Sequence, residues 1–395
     1  MTTFSYNSFL RNYYLTSFFY KFIFAHAIYT VFFYIRGLSV FQISLLMSWE
    51  ALVIVLFEIP TGALADSWSR RKMLTIAPLF KSLCLVTWFF AQGNFYIYAT
   101  GLFFSALGSS LVSGTTEALL YDTLTYAGNK DDYEKVLGKS KSYQWIAISL
   151  ATISGGFIAG YKLDWAIAFS VVPLMLSALF AFRLKEVPKV ETTGEVRYLE
   201  YIKIAYSEIK TNRVLLYLMV YLLAISVFGS IGDFDQLYYQ LVKLPIFAFG
   251  IAGFLGSASS AIGTYYVYKL KKFAPGFYLL PFISGILLVF VASYPSVPMI
   301  IVLLASYFIS SSLTVLIESN LQRNISSNSR ATITSVSKLG INSFAILLAP
   351  VFGLIAQVWN LQAIYLTTGV FILVFAVWVF VVRNKVAVKT ANSQN

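Results

Sequence analysis

Charge is what this sequence lacks. Only 12% of its 395 residues are Asp, Glu, Lys or Arg, about half the share of an ordinary soluble domain. Hydrophobic residues make up 58%, and the mean hydropathy is +0.74. That balance excludes a soluble globular chain and places most of the length in lipid. Cysteine is also nearly absent. Cys84 alone leaves no disulfide framework and no thiolate metal cluster. The single histidine, His26, leaves no His-rich metal site, so neither metal nor other cofactor is expected. A cleavable leader is not evident: the first apolar run starts near Tyr13, contains Lys21 and His26, and has no small-x-small cleavage site. No phosphate-binding loop and no nucleophile–base constellation is present, which argues against an ATP-driven pump and against an enzyme.

What is there is a series of apolar runs. A helix crossing about 30 Å of hydrocarbon needs roughly 20 apolar residues. Twelve such segments fall near 13–35, 40–65, 73–92, 95–121, 141–160, 164–184, 213–239, 245–269, 275–293, 297–321, 331–356 and 361–382. The breaks RGLS, QGN, YKLD, YPSVP and QVWN carry turn chemistry. The net charge of +12 suggests nucleic acid at first sight, but its distribution says otherwise. With the N-terminus inside, 24 Lys and Arg fall on inner segments and three, Arg36, Lys162 and Lys243, on outer ones. That split is a positive-inside signal, so both termini are expected in the cytoplasm and the chain in the cell's inner (plasma) membrane. Attraction of these bases to anionic lipid is secondary, and no nucleic-acid partner is expected.

The longest polar interval separates six spans from six. The expected organisation is an N-terminal six-helix bundle over 1–184, a linker over 185–212, and a C-terminal bundle over 213–395. Within the linker, VRYLEYIKIAYSEIK reads as an amphipathic surface helix. The halves show weak internal similarity: Lys141 to Gly155-Gly156 lies on Lys338 to Gly353 at a constant offset. Six-helix halves related in this way are a transporter architecture, with a site near the midplane.

One helix end breaks the apolar pattern. GALADSWSRRK, Gly62 to Lys72, puts one acid and three bases after the run ALVIVLFEIPT. With twelve spans and a six-six division, it resembles the major facilitator superfamily signature between helices two and three, Gly-x-Leu-Ala-Asp-Arg-x-Gly-Arg-Arg/Lys. Gly62, Leu64, Ala65, Asp66, Arg70 and Arg71 match; Ser67 and Ser69 depart from it. Gly62 and Asp66 are one helical turn apart, on one face. A glycine there would let a neighbouring helix approach, and Asp66 would sit at a facing helix N-terminus, where the dipole favours an anion. The resemblance suggests span eleven as that helix. Arg70 and Arg71 are placed to pair with Asp122 at the inner end of span four, and Glu58 lies two turns before Asp66 on nearly the same face. Together these residues read as a gate latch. The second-half counterpart around Gly263 keeps the glycine and bases but has Val267 in place of the acid, so the gate is expected to be asymmetric.

Ionisable groups at membrane depth are functional candidates, because burying them in lipid costs several kcal/mol. In the family, spans one, four and seven line a central cavity. Lys21 and His26 in span one, Glu117 in span four, and Asp233, Asp235, Gln236 and Tyr238 in span seven are therefore the candidates for proton coupling or cargo binding. If span seven is one continuous helix, Asp233 and Asp235 face opposite ways, and Phe234, Tyr238 and Tyr239 can stack on a ligand. Lys81 and Glu318 read as groups that snorkel or pair at helix ends. A glycine-proline motif typical of drug–proton antiporters aligns on Gly155-Gly156, with Ala147, Ala151 and Thr152 keeping small size but no proline. The reading is an all-α membrane protein with the major facilitator fold, acting as a monomer. The expected function is export of a small amphiphilic organic compound in exchange for protons. Uptake of a metabolite is the alternative, and a non-transporting sensor a third.

Overall fold

The computed structural model describes residues 5–187, 210–270, 276–325 and 330–392. Every regular element among them is helical. The amphipathic linker segment lies outside the described residues.

The helices begin where small polar residues can cap them. Ser39 closes a capping box with Gln42 at the start of α3 (Val40–Ser67), and the Ser69 hydroxyl accepts from the Lys72 amide at the start of α4 (Arg70–Phe90). Asn94 opens α5 (Phe95–Val112) and Asn212 opens α10 (Arg213–Gly232) by the same device. The QGN break is a real turn, with Gln92 and Gly93 both at positive φ before the Asn94 cap.

Several spans are interrupted. The first is α1 (Tyr6–Lys21), a 3-10 turn at Phe24–Ala27 and α2 (Tyr29–Ile35). The fourth is α5 followed by α6 (Thr115–Tyr126), broken at Ser113 and at Gly114, whose φ of +72° suits glycine. The fifth is α7 (Tyr133–Tyr161), and the sixth joins α8 (Leu163–Phe169) to α9 (Val171–Phe182). The seventh is α10 followed by α11 (Asp235–Leu241). The remaining five are α12 (Ile246–Leu270), α13 (Gly276–Ser293), α14 (Met299–Asn324), α15 (Arg330–Val358) and α16 (Gln362–Asn392). Among the described residues, ten helical stretches are long and apolar enough to cross a membrane, and Phe277–Ser293 is a shorter apolar helix. With α7, whose first turns are charged, these make the twelve spans.

The chain divides into two compact units, one of residues 1–193 with 245–254, the other of 194–244 with 255–395. In the first, α4 packs on α5 and α9, α1 on α7 and α9, and α3 on α5. Lipid tails are as apolar as leucine, so helices in a membrane gain from close contact rather than from burying oil. Gly156 shows this. A Cβ built on it would sit 2.8 Å from the Phe247 carbonyl oxygen and the Gly250 amide; small residues let α7 and the start of α12 meet backbone to backbone. Phe9, Tyr13, Leu74, Leu119, Leu120 and Leu124 form a buried cluster near the start of α1. In the second unit α13 packs on α14 and α16, and α10 on α14, α15 and α16. Large exposed apolar side chains such as Leu56, Phe90, Phe182, Leu347 and Val374 are the lipid-facing surface that explains the hydrophobic composition.

Candidate functional site

The charged helix end is tied down within the first unit. The Arg70 guanidinium forms an ion pair with Asp122 of α6, and both side chains are about nine-tenths buried. One residue that the sequence did not single out completes the anchor. Glu186, just after α9, accepts from the Arg70 amide at 2.7 Å and from the Ser69 hydroxyl. Its carboxylate therefore sits on the first turn of α4, where the helix dipole favours an anion. Arg71 lies over the Phe182 ring, 5.7 Å from its centroid, rather than on Asp122. Within the first unit, a Cβ built on Gly62 meets nothing within 4 Å. Asp66 lies in the last turn of α3, and its side chain is outside the described residues. Glu58 is exposed on the same helix and forms no ion pair among the described residues.

A cavity of about 370 Å³ opens inside the same unit, lined by residues of α1, α4, α5, α6 and α7 and by the Ser113–Gly114 break. The break turns α6 so that Glu117, in its first turn, faces Lys141 of α7 at 3.0 Å. This pair is partly solvated, with Glu117 35% and Lys141 51% exposed. Deeper in the cavity stand Lys21 and Lys81. Lys21 ends α1, 15 residues from its first residue, which at 1.5 Å per residue is about 22 Å along the helix. Lys81 lies 11 residues into α4, or about 16 Å. The sequence placed Lys81 among residues that snorkel at a helix end; the structure instead puts it mid-helix on the cavity wall. Its ammonium sits 4.7 Å from the centroid of the Tyr20 ring, and the Tyr20 hydroxyl donates to the Gly108 carbonyl at 3.1 Å. Neither Lys21 nor Lys81 forms an ion pair among the described residues. Glu50, half-buried on α3, accepts from the Ser105 hydroxyl at 2.7 Å. His26 sits in the 3-10 turn and is not on the cavity wall.

The second unit holds a different arrangement. Span seven is not one continuous helix: α10 ends at Gly232 with Asp233 as its C-cap, and Asp235 begins α11. The opposite-face argument for the two aspartates therefore does not hold, because the helical phase restarts between them. Asp235 accepts from the Tyr307 hydroxyl of α14 at 2.6 Å and from the Tyr365 hydroxyl of α16 at 3.1 Å. Phe234, Tyr238 and Tyr239 are buried. Tyr238 donates to the Val291 carbonyl at 3.0 Å and its ring packs on Tyr365 at 5.0 Å. In this structure these rings are packed in the interior of the second unit. Gln236 is half-buried beside them. Glu318 is exposed on α14. Among the described residues no group of three His, Cys, Asp or Glu could hold a metal.

The Major Facilitator Superfamily model matches residues 13–343. The chain belongs to that superfamily. It is a multi-pass membrane protein of a transporter family. No curated protein matches it. Among solved structures, it resembles the nucleoside transporter NupG at 13% identity and a TM-score of 0.77, over 95% of this chain and 98% of that one. A bacterial homologue of the human lysosomal transporter Spinster, in an inward-facing unoccupied conformation, is 17% identical with a TM-score of 0.73, over 97% of each chain. The inward-open xylose transporter XylE from E. coli is 12% identical with a TM-score of 0.68, over 95% of each. At these identities the likeness is one of fold. For this superfamily member the sequence led to Glu117, Asp122 and Lys21 through their charge. Lys81, Glu186, Tyr307 and Tyr365 acquire a place only when the helices meet.

Proposed function

We propose that this protein is a secondary active transporter that carries a small organic compound by alternating access, with protons as the driving ion. The supporting observation is the polar cavity at membrane depth, walled by charged side chains in a chain with no ATP-binding motif. An ionisable group kept at that depth is a functional group by default. The Arg70–Asp122 pair, with Asp66, Arg71 and Glu58 around it, serves as the latch of the inner gate. Of the carboxylates that are candidates for the proton, Glu117, Asp233 and Asp235, we favour Asp235 over Glu117. Its recorded side-chain partners are hydroxyls, so adding a proton strands no opposite charge, whereas protonating Glu117 would strand Lys141. Both termini lie in the cytoplasm of a cell whose plasma membrane holds the protein as a monomer.

Export in exchange for protons is the first reading. Uptake with protons is the second, and the three lysines against one glutamate on the cavity wall favour it. An inside-negative membrane potential opposes the inward movement of an anion, and accompanying protons offset that cost. The test is flux in proteoliposomes with an imposed pH gradient, using compounds that raise the thermal stability of the purified protein. Acid on the far side should drive export, and acid on the cargo side should drive uptake. Flux indifferent to the gradient would remove proton coupling and leave facilitated diffusion.

A further inference from the structure

We infer that the cavity of the first unit is a binding site for an organic anion, with Lys21 and Lys81 as the residues that hold its negative group. The inference rests on the transporter reading and narrows it to a substrate class. Three lysines and one glutamate line the cavity. Lys141 is taken by Glu117 at 3.0 Å, which leaves the charges of Lys21 and Lys81 unmatched on the wall. Both lysines are half-buried, where an unpaired charge is costly, and neither ammonium has a carboxylate within ion-pair distance among the described residues. Lys81 lies mid-helix, about 16 Å into α4, and Lys21 ends α1 at an interruption inside the first span rather than at the end of that span. Snorkelling therefore does not account for them. The nearest counter-charge, Glu50, is not on the cavity wall and accepts a hydrogen bond from Ser105.

The rest of the wall suits an anion with a compact organic body. Ser109, Ser113 and Thr116 bring hydroxyls, Gln144 brings an amide, and the Tyr20 ring supplies an apolar face beside Lys81. A cationic drug would meet net repulsion here, because the one carboxylate on the wall already has its lysine. The shared chemistry is that of a carboxylate or a phosphate ester on a small organic molecule.

The test uses the full-length protein in detergent, with Cys84→Ala removing the native thiol and Ser113→Cys placing one on the cavity wall, where Ser113 is exposed. The reagents are the anionic sulfonatoethyl and the cationic trimethylammonioethyl methanethiosulfonates, with Ser293→Cys as an exposed reference position. A wall of excess positive charge should raise the anionic-to-cationic rate ratio about tenfold over the reference, and salt should erode it. Lys21→Gln and Lys81→Gln should each lower the ratio, and Lys81→Arg should preserve it. A ratio equal to the reference, or one that both Gln variants leave intact, overturns the inference. Occupancy is read in the same protein. Protection by benzoate but not benzamide identifies a carboxylate, and protection by glycerol phosphate but not glycerol identifies a phosphate ester. Equal or better protection by choline or by the neutral members also overturns it. Neither readout needs transport. An anion preference without flux in proteoliposomes removes the transporter reading alone, and flux of a cation removes the anion site alone.

Discussion

The two units deal with charge in opposite ways. The first keeps lysines and a glutamate on the wall of a cavity and, apart from it, a buried Arg70–Asp122 pair. The second keeps Asp235 in a closed setting between two tyrosine hydroxyls. Charged side chains on a cavity wall suit a surface that binds and releases a charged cargo. A carboxylate held only by neutral donors suits a group that gains and loses a proton without unbalancing its neighbours. The contrast follows from local sequence. Span seven breaks at Gly232–Phe234, which frees Asp235 to start a new helix against α14 and α16. Span four breaks at Gly114 and turns Glu117 toward α7.

The sharpest way to break this comparison is to remove one side of it. Asp235→Asn, which cannot be charged, should abolish gradient-driven flux and leave counterflow exchange of cargo intact. Glu117→Gln should retain gradient dependence but weaken cargo retention, because Lys141 loses its partner. Full gradient-driven flux in the Asp235 variant would exchange the two roles. Next in size is the buried pair: Asp122→Ala leaves the Arg70 guanidinium without its carboxylate and should cost about 3–5 kcal/mol, read as a lowered unfolding temperature in detergent. Glu117→Ala, which breaks the half-exposed pair, should cost less than about 1 kcal/mol in the same assay. Equal losses would mean that the cavity pair is as dry as the Arg70–Asp122 pair.

Smaller effects sharpen the second side. Tyr307→Phe and Tyr365→Phe each remove one hydrogen bond to a carboxylate, worth roughly 1.5–3 kcal/mol. The loss of gradient-driven flux should be larger for Tyr307, whose contact is 2.6 Å against 3.1 Å for Tyr365. Ser69→Ala removes both a helix cap and a donor to Glu186. It should cost about 1 kcal/mol, with the cavity's reagent preference unchanged. A change in that preference would tie the helix end to the cavity directly.

The sequence by itself determined the membrane class and the twelve spans, because crossing lipid demands a long apolar helix and because Ser39, Ser69, Asn94 and Asn212 mark helix starts by local hydrogen bonding. It also determined which residues carry charge at depth, since each such group interrupts a long apolar run. Composition could not say where the interrupted spans restart. A break at Gly114 or after Gly232 changes the direction of every side chain that follows, so helical phase counted across it fails, as it did for Asp233 and Asp235. Only the tertiary structure decided which charges meet. Arg70 and Asp122 are 52 residues apart, Ser69 and Glu186 117, and Asp235 and Tyr365 130. Such pairs depend on the packing of whole helices, which in lipid is set by small residues such as Gly156 meeting a neighbour's backbone, and not by any pattern within one span. Lys81 carries the lesson most clearly. Its place in the sequence allowed a snorkelling side chain, and only the approach of α1 and α5 to α4 turned it into part of a cavity wall.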